Sequence, residues 1–150
     1  STMTKTSMTQ RDAVQDARQL ALTQQILAQL RHYILQQLPQ APRLQDAASA
    51  MHMSSRTLQR LLQQSGCCFR SLVNQCRHQL AQHYLWDDEL SLQQIAYQLG
   101  FEEQSSFQKA FKCWQGCSPG SFRQQKLPVS GGHKHSKALN VPLQVNYGIN

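Results

Sequence analysis

Residues 92–101 read Leu-Gln-Gln-Ile-Ala-Tyr-Gln-Leu-Gly-Phe, followed by Gln104-Ser-Ser-Phe107 and Ala110-Phe-Lys112. Ser91 with Gln94 has the form of a capping box, which opens a short helix at Leu92 with Ile95, Ala96 and Leu99 on its inner face. Gly100 supplies a turn, and a longer helix follows with Phe107, Ala110, Phe111 and Trp114 turned inward until Gly116 closes it. The same order occurs upstream. Leu44, Ala47, Ala48 and Met51 make a short helix, His52-Met53 turns the chain, and Ser54 caps a helix anchored by Leu58 and Leu62 that ends at Gly66. In each copy a small residue, Ala48 or Ala96, stands four before the turn residue and lets two helices cross closely. That turn position tends to need positive φ, which Gly adopts freely and His tolerates better than most residues. The chain therefore carries helix-turn-helix geometry twice, over about 44–65 and about 91–114.

Between the copies, Phe69, Leu72, Val73, Cys76, Leu80 and Leu85 trace one face of a joining helix over about 69–86. Before them, Ile26, Leu27, Leu30, Ile34 and Leu38 form a helical stripe from Leu22, stopped by Pro39 and Pro42. Ser118-Pro119 reads as cap and first residue of a last short helix through Phe122 and Arg123. The expectation is an all-α fold of seven helices, two helix-turn-helix units on a linker helix, spanning 22–126 around one core. Residues 1–21 extend the first helix or form a linker, and the Gly-, His- and Lys-rich 127–150 is expected to be an irregular tail.

The chain has 15 Lys and Arg against 8 Asp and Glu, net +7. A generally basic surface explains that total as well as an anionic partner does. The placement is more informative, because no carboxylate lies between Asp46 and Asp87 or after Glu103. If Leu58 and Leu62 face the core, Ser55, Arg56, Gln59 and Arg60 face away; Phe107 and Phe111 likewise turn Gln104, Ser105, Gln108 and Lys109 outward. In a helix-turn-helix the second helix enters the major groove, where Arg can pair with guanine O6 and N7 and Gln with adenine N6 and N7. Arg56, Gln59, Arg60, Gln104, Ser105, Gln108 and Lys109 are the candidate base readers. Ser54, Ser55, Thr57, Ser106 and Lys112 are the candidate phosphate contacts. A joining helix of about 18 residues spans ~27 Å, against ~34 Å for one duplex turn, so a monomer could read two half-sites.

Those strings, with Trp114-Gln-Gly116, Ser118-Pro119 and Phe122-Arg123, resemble the AraC/XylS family of bacterial transcription regulators. Met53-Ser-Ser-Arg-Thr-Leu-Gln-Arg60 with Gly66 and Phe69 is similar to a subgroup that normally carries a separate effector-sensing domain. The resemblance covers about 22–126. It implies a seven-helix domain with the recognition helices already derived, double-stranded promoter DNA as partner, transcriptional activation, and contact with RNA polymerase. It also implies a small-molecule effector bound by a domain absent from this chain. Two departures stand out: His52 where many relatives have Gly, and Glu102-Glu103 where a Ser or Asp cap is usual.

The remaining features exclude more than they add. Five cysteines form no paired framework, which suits reduced thiols in a cytosol, with Cys76 as core filling and Cys67-Cys68 in a turn. Cys113 with Cys117 matches no zinc spacing, and His133 and His135 read as solvated tail residues, so neither metal nor cofactor is expected. There is no apolar run of ~20 residues and no signal-like stretch in Ser1–Thr9, so a cytoplasmic, nucleoid-associated protein without a membrane partner is expected. An enzyme is disfavoured by the absence of a Gly-rich phosphate loop or a cysteine with an identifiable histidine partner. A basic helical module for protein or RNA is the better rival, although single-strand RNA readers use exposed aromatics and those here face inward.

Overall fold

The computed structural model describes residues 2–87 and 89–126. Its helices are α1 (Thr2–Gln37), α2 (Leu44–Ala50), α3 (Ser55–Gln64), α4 (Phe69–Trp86), α5 (Leu92–Gln98), α6 (Gln104–Gln115) and α7 (Pro119–Lys126). No strand occurs among the described residues. The all-α, seven-helix expectation holds, while the expected tail at 127–150 lies outside the described residues.

The first helix is much longer than its apolar stripe. No Gly or Pro occurs before Pro39 and Gln, Ala, Leu and Arg are prominent over 10–30, and the helix runs back to Thr2, a length of about 54 Å. Of the two alternatives for the first residues, helix extension is the one adopted. From residue 10 onward Thr23 is the first buried residue, and Val14, Leu20 and Leu22 are each more than half exposed.

A single core was the expectation, and the structure corrects it: the described residues form two. The first gathers Leu30 and Ile34 of α1, Ala47 and Ala48 of α2, Leu58 and Leu62 of α3, and Leu72, Val73 and Cys76 of α4. The second gathers Ala81 and Leu85 of α4 with Ile95, Ala96, Leu99, Phe107, Phe111, Trp114 and Phe122. The physical reason is reach. Helices α2 and α5 have seven residues each, so neither covers more than half of the ~27 Å of α4, and α4 gives its first half to one unit and its second to the other.

Where α4 passes into the second core it carries polar side chains. His78 and Gln82 are fully buried one turn apart, and both meet Gln115 Oε1 at 2.7 Å. Gln82 donates its amide N–H to that oxygen, which can only accept, so His78 also donates, from Nε2. The imidazole lies edge-on to Phe111 and close to Trp114. Burial lowers the His78 pKa, and the Gln115 hydrogen bond offsets this in part. Above about pH 6.5 the ring is neutral in folded and unfolded chains alike; as pH falls below that, only the unfolded chain takes up the proton. Stability is therefore expected to fall from about pH 6.5 downward and to level off below the folded-state pKa. Melting temperatures across pH 4–8 for the protein and for His78→Leu check this, with the variant losing that part of the acid sensitivity.

Candidate nucleic-acid interface

The two turns are superimposable in their hydrogen bonding. His52 N–H donates to Ser49 O at 3.1 Å and Met53 N–H to Ala48 O at 3.0 Å; Gly100 N–H donates to Tyr97 O at 3.0 Å and Phe101 N–H to Ala96 O at 2.9 Å. His52 has φ 59 and Gly100 φ 92, so both occupy the left-handed region that the spacing from Ala48 and Ala96 requires. These donors close off carbonyls at the end of the preceding short helix and aim the chain into the next one.

Helix α3 starts on a well-made cap. Ser54 Oγ accepts from Thr57 N–H at 3.1 Å and donates to Thr57 Oγ1 at 2.9 Å. Its own proton being used, Ser54 can meet a phosphate only by giving up that bond, whereas the Thr57 hydroxyl proton stays available. Leu58 and Leu62 are buried, and Arg56, Gln59 and Arg60 are exposed on the opposite side, with Ser55 and Thr57 half-buried at the first turn. No acidic residue lies in that first turn.

Helix α6 starts less well. Its N-cap, Glu103, makes no side-chain cap hydrogen bond; the carboxylate instead accepts from Ser105 Oγ at 3.3 Å. A candidate base reader is thereby held by an acid at the helix start. Phe107, Phe111 and Trp114 are buried, Ser105, Ser106, Lys109 and Lys112 are exposed, and Gln104 and Gln108 are half-buried. Gln104, Gln108 and Lys112 follow one another at four-residue steps, so they form a single outward stripe with Ser105 and Lys109 beside it.

Two cations of the acid-poor segments do other work, which sequence spacing did not reveal. Arg77 Nε donates to Leu99 O at 3.0 Å and its guanidinium lies 5.2 Å from the centre of the Phe101 ring, so it pins the second turn to α4. Arg123 donates to Leu85 O at 3.3 Å and to Asp87 O at 3.0 Å, closing the end of α4. Such tethers join residues more than 20 positions apart, and nothing in local periodicity announces them. Among the cysteines, Cys76 is buried as expected, and desolvation pushes its thiol up to about 11. Among the described residues no cluster of His, Cys, Asp or Glu is arranged to hold a metal, and no helix is long and apolar enough to cross a membrane. His133 and His135 lie outside the described residues.

A family model described as a helix-turn-helix domain matches residues 47–125. The chain belongs to the AraC/XylS family. This AraC-type helix-turn-helix domain is thus of a family of DNA-binding transcription regulators, not of enzymes. Among its relatives, the "Ornithine utilization regulator" of Pseudomonas aeruginosa is 34% identical over 99 residues, 66% of this chain and 29% of that protein. The "Transcriptional activator NphR" of a Rhodococcus species is 33% identical over 86 residues, 57% of this chain and 26% of that protein. The AraC-type chain thus spans less than a third of the length of these curated relatives. Its fold is similar to the crystal structure of the DNA-binding domain of AdpA in complex with a target DNA, with a TM-score of 0.57 and 24% identity over 70% of this chain and 97% of that one.

Proposed function

We propose that this chain is the DNA-reading part of a transcription regulator, assigned to residues 22–126, in which α3 and α6 enter successive major-groove segments on one face of a duplex. The observation that carries this reading is the pair of matched turns, each followed by a helix with a buried apolar face and an outward face of Arg, Lys, Gln and Ser. Arg56, Gln59 and Arg60 read one half-site; Gln104, Ser105, Gln108 and Lys109 read the other. Ser54, Ser55, Thr57, Ser106 and Lys112 hold the backbone on either side, with Thr57 better placed than Ser54 because of the cap bond. Activation of a promoter, contact with RNA polymerase, a small-molecule effector bound by a further domain and action in the bacterial cytoplasm at the nucleoid complete the proposal. The first of these is supported by the name of the Rhodococcus relative.

Selection from random duplexes tests it. The expected result is an enriched motif of two half-sites about one helical turn apart. Arg60→Ala is expected to relax the preference at one or two base pairs of a single half-site, lowering discrimination there by about 1–3 kcal/mol, with the other half-site unchanged. Enrichment of nothing, or of one half-site only, would remove the two-headed model.

A further inference from the structure

Between the two reading units lies a cleft of about 740 Å³, floored by α4 and walled by α6 and the loop between α1 and α2. Its lining combines two chemistries. Phe69 and Phe101, half-buried, and Trp114, almost fully buried, give it aromatic surface. Arg70 from α4 and Lys109 from α6 bring exposed cationic residues to it, and Arg77 stands at the second turn, while no carboxylate lines it. The volume is that of an ordinary small-molecule site. A duplex backbone is convex and has no apolar body to cover aromatic walls, so DNA phosphate accounts for the cations but not for the cavity.

We propose that this cleft is a binding site for a small amphipathic carboxylate, its apolar body against Phe69, Phe101 and Trp114 and its anionic end between Arg70 and Lys109. Charge complementarity selects the anion, because every charged side chain in the lining is cationic. Concavity and aromatic walls select an apolar body of one or two rings or a short alkyl chain. Since Lys109 belongs both to the cleft and to the outward side of α6, an occupant that engages it withdraws it from DNA and lowers affinity for the second half-site. That coupling rests on α6 being a reading helix; occupancy of the cleft does not.

Cys113 provides the reporter, being exposed and part of the lining, while Cys117 lies outside it. The rate of alkylation of each by iodoacetamide is followed by peptide mass spectrometry with 2-naphthoate as the probe and 2-naphthamide as its neutral counterpart. The expected result is saturable slowing at Cys113 by naphthoate, little slowing by the amide, and an unchanged rate at Cys117. Lys109→Gln and Arg70→Gln are each expected to raise the half-saturating naphthoate concentration about tenfold. No slowing at Cys113 up to about 10 mM, or equal slowing by the amide, overturns the site. In a second arm, saturating naphthoate is expected to weaken binding to the selected duplex. Protection of Cys113 without that weakening overturns the competition, and absence of duplex binding even without naphthoate counts against the DNA reading, not against the cleft.

Discussion

Gly100→Ala is expected to destabilise the protein by on the order of 3 kcal/mol, measured by urea unfolding. Two effects add. At φ 92 an L side chain sits in the left-handed region, at a cost of roughly 1–2 kcal/mol. A Cβ at this position would also stand 2.6 Å from Pro39 O, a backbone atom, and 3.5 Å from the Arg77 guanidinium. The loop before α2 or the second turn itself must therefore shift, and any shift of the turn strains the Arg77 bond to Leu99 O. His52 is the control built into the chain. It fills the equivalent place in the first unit at φ 59 with an exposed side chain, so His52→Gly meets no clash and relieves the left-handed conformation. The expected change is a gain of at most about 1 kcal/mol, since glycine's greater freedom in the unfolded chain cancels part of it. A Gly100→Ala loss below about 1 kcal/mol would show that the close approach to Pro39 is not a firm contact.

The positions of the turns and the outward faces of α3 and α6 were legible because each rests on short-range rules. Ser54, Ser91 and Gln94 satisfy helix starts within three residues of themselves, and both arms of the Ser91–Gln94 box are made, at 3.1 and 2.8 Å. Leu58, Leu62, Phe107 and Phe111 set which side faces inward through a period of 3.6. What escaped reading depends on distant partners. Periodicity cannot say that the inner face of α4 serves two cores in turn, because Leu72 and Leu85 look alike until the elements that cover them are known. Nor can composition separate Arg77 and Arg123, spent on carbonyls of α4 and the second turn, from Arg56 and Arg60, which stand out from α3. His78 and Gln82 are buried polar residues that become intelligible only with Gln115 beside them. Helix α1 ran past its apolar stripe because breakers were absent, and an absence is a weak local signal.

Affinity for the selected duplex is expected to fall on the order of 10³-fold between 50 and 200 mM salt, which follows if about six phosphates lose their condensed counterions. The net charge of +7 does not set that number, since part of the cationic total is consumed inside the fold by Arg77 and Arg123. Among the described residues the exposed cations on α3 and α6 are Arg56, Arg60 and Lys109, assigned to bases, and Lys112, assigned to phosphate, while Arg43 and Arg70 are exposed on neighbouring elements of the sequence. Those that meet phosphate and those that meet bases separate in the salt dependence. Lys112→Ala is expected to reduce the slope of log affinity against log salt by about one and to weaken all sequences alike, because a phosphate contact releases a counterion and carries no sequence information. Arg60→Ala is expected to lower affinity for the selected site with a smaller change in slope, because its loss is one of directed hydrogen bonds to a base edge. The carboxylates of Glu102 and Glu103 work against the general term by repelling phosphate, lying exposed just before α6 where its N-terminal turn would approach the backbone. Glu103→Ser should therefore tighten binding, while its effect on stability is expected to stay within about 1 kcal/mol, because the side-chain cap that α6 gains is offset by the loss of the carboxylate's favourable interaction with the helix N-terminus. Fluorescence anisotropy across the salt series measures each slope, and an unchanged slope in Lys112→Ala would move that residue out of the phosphate contacts.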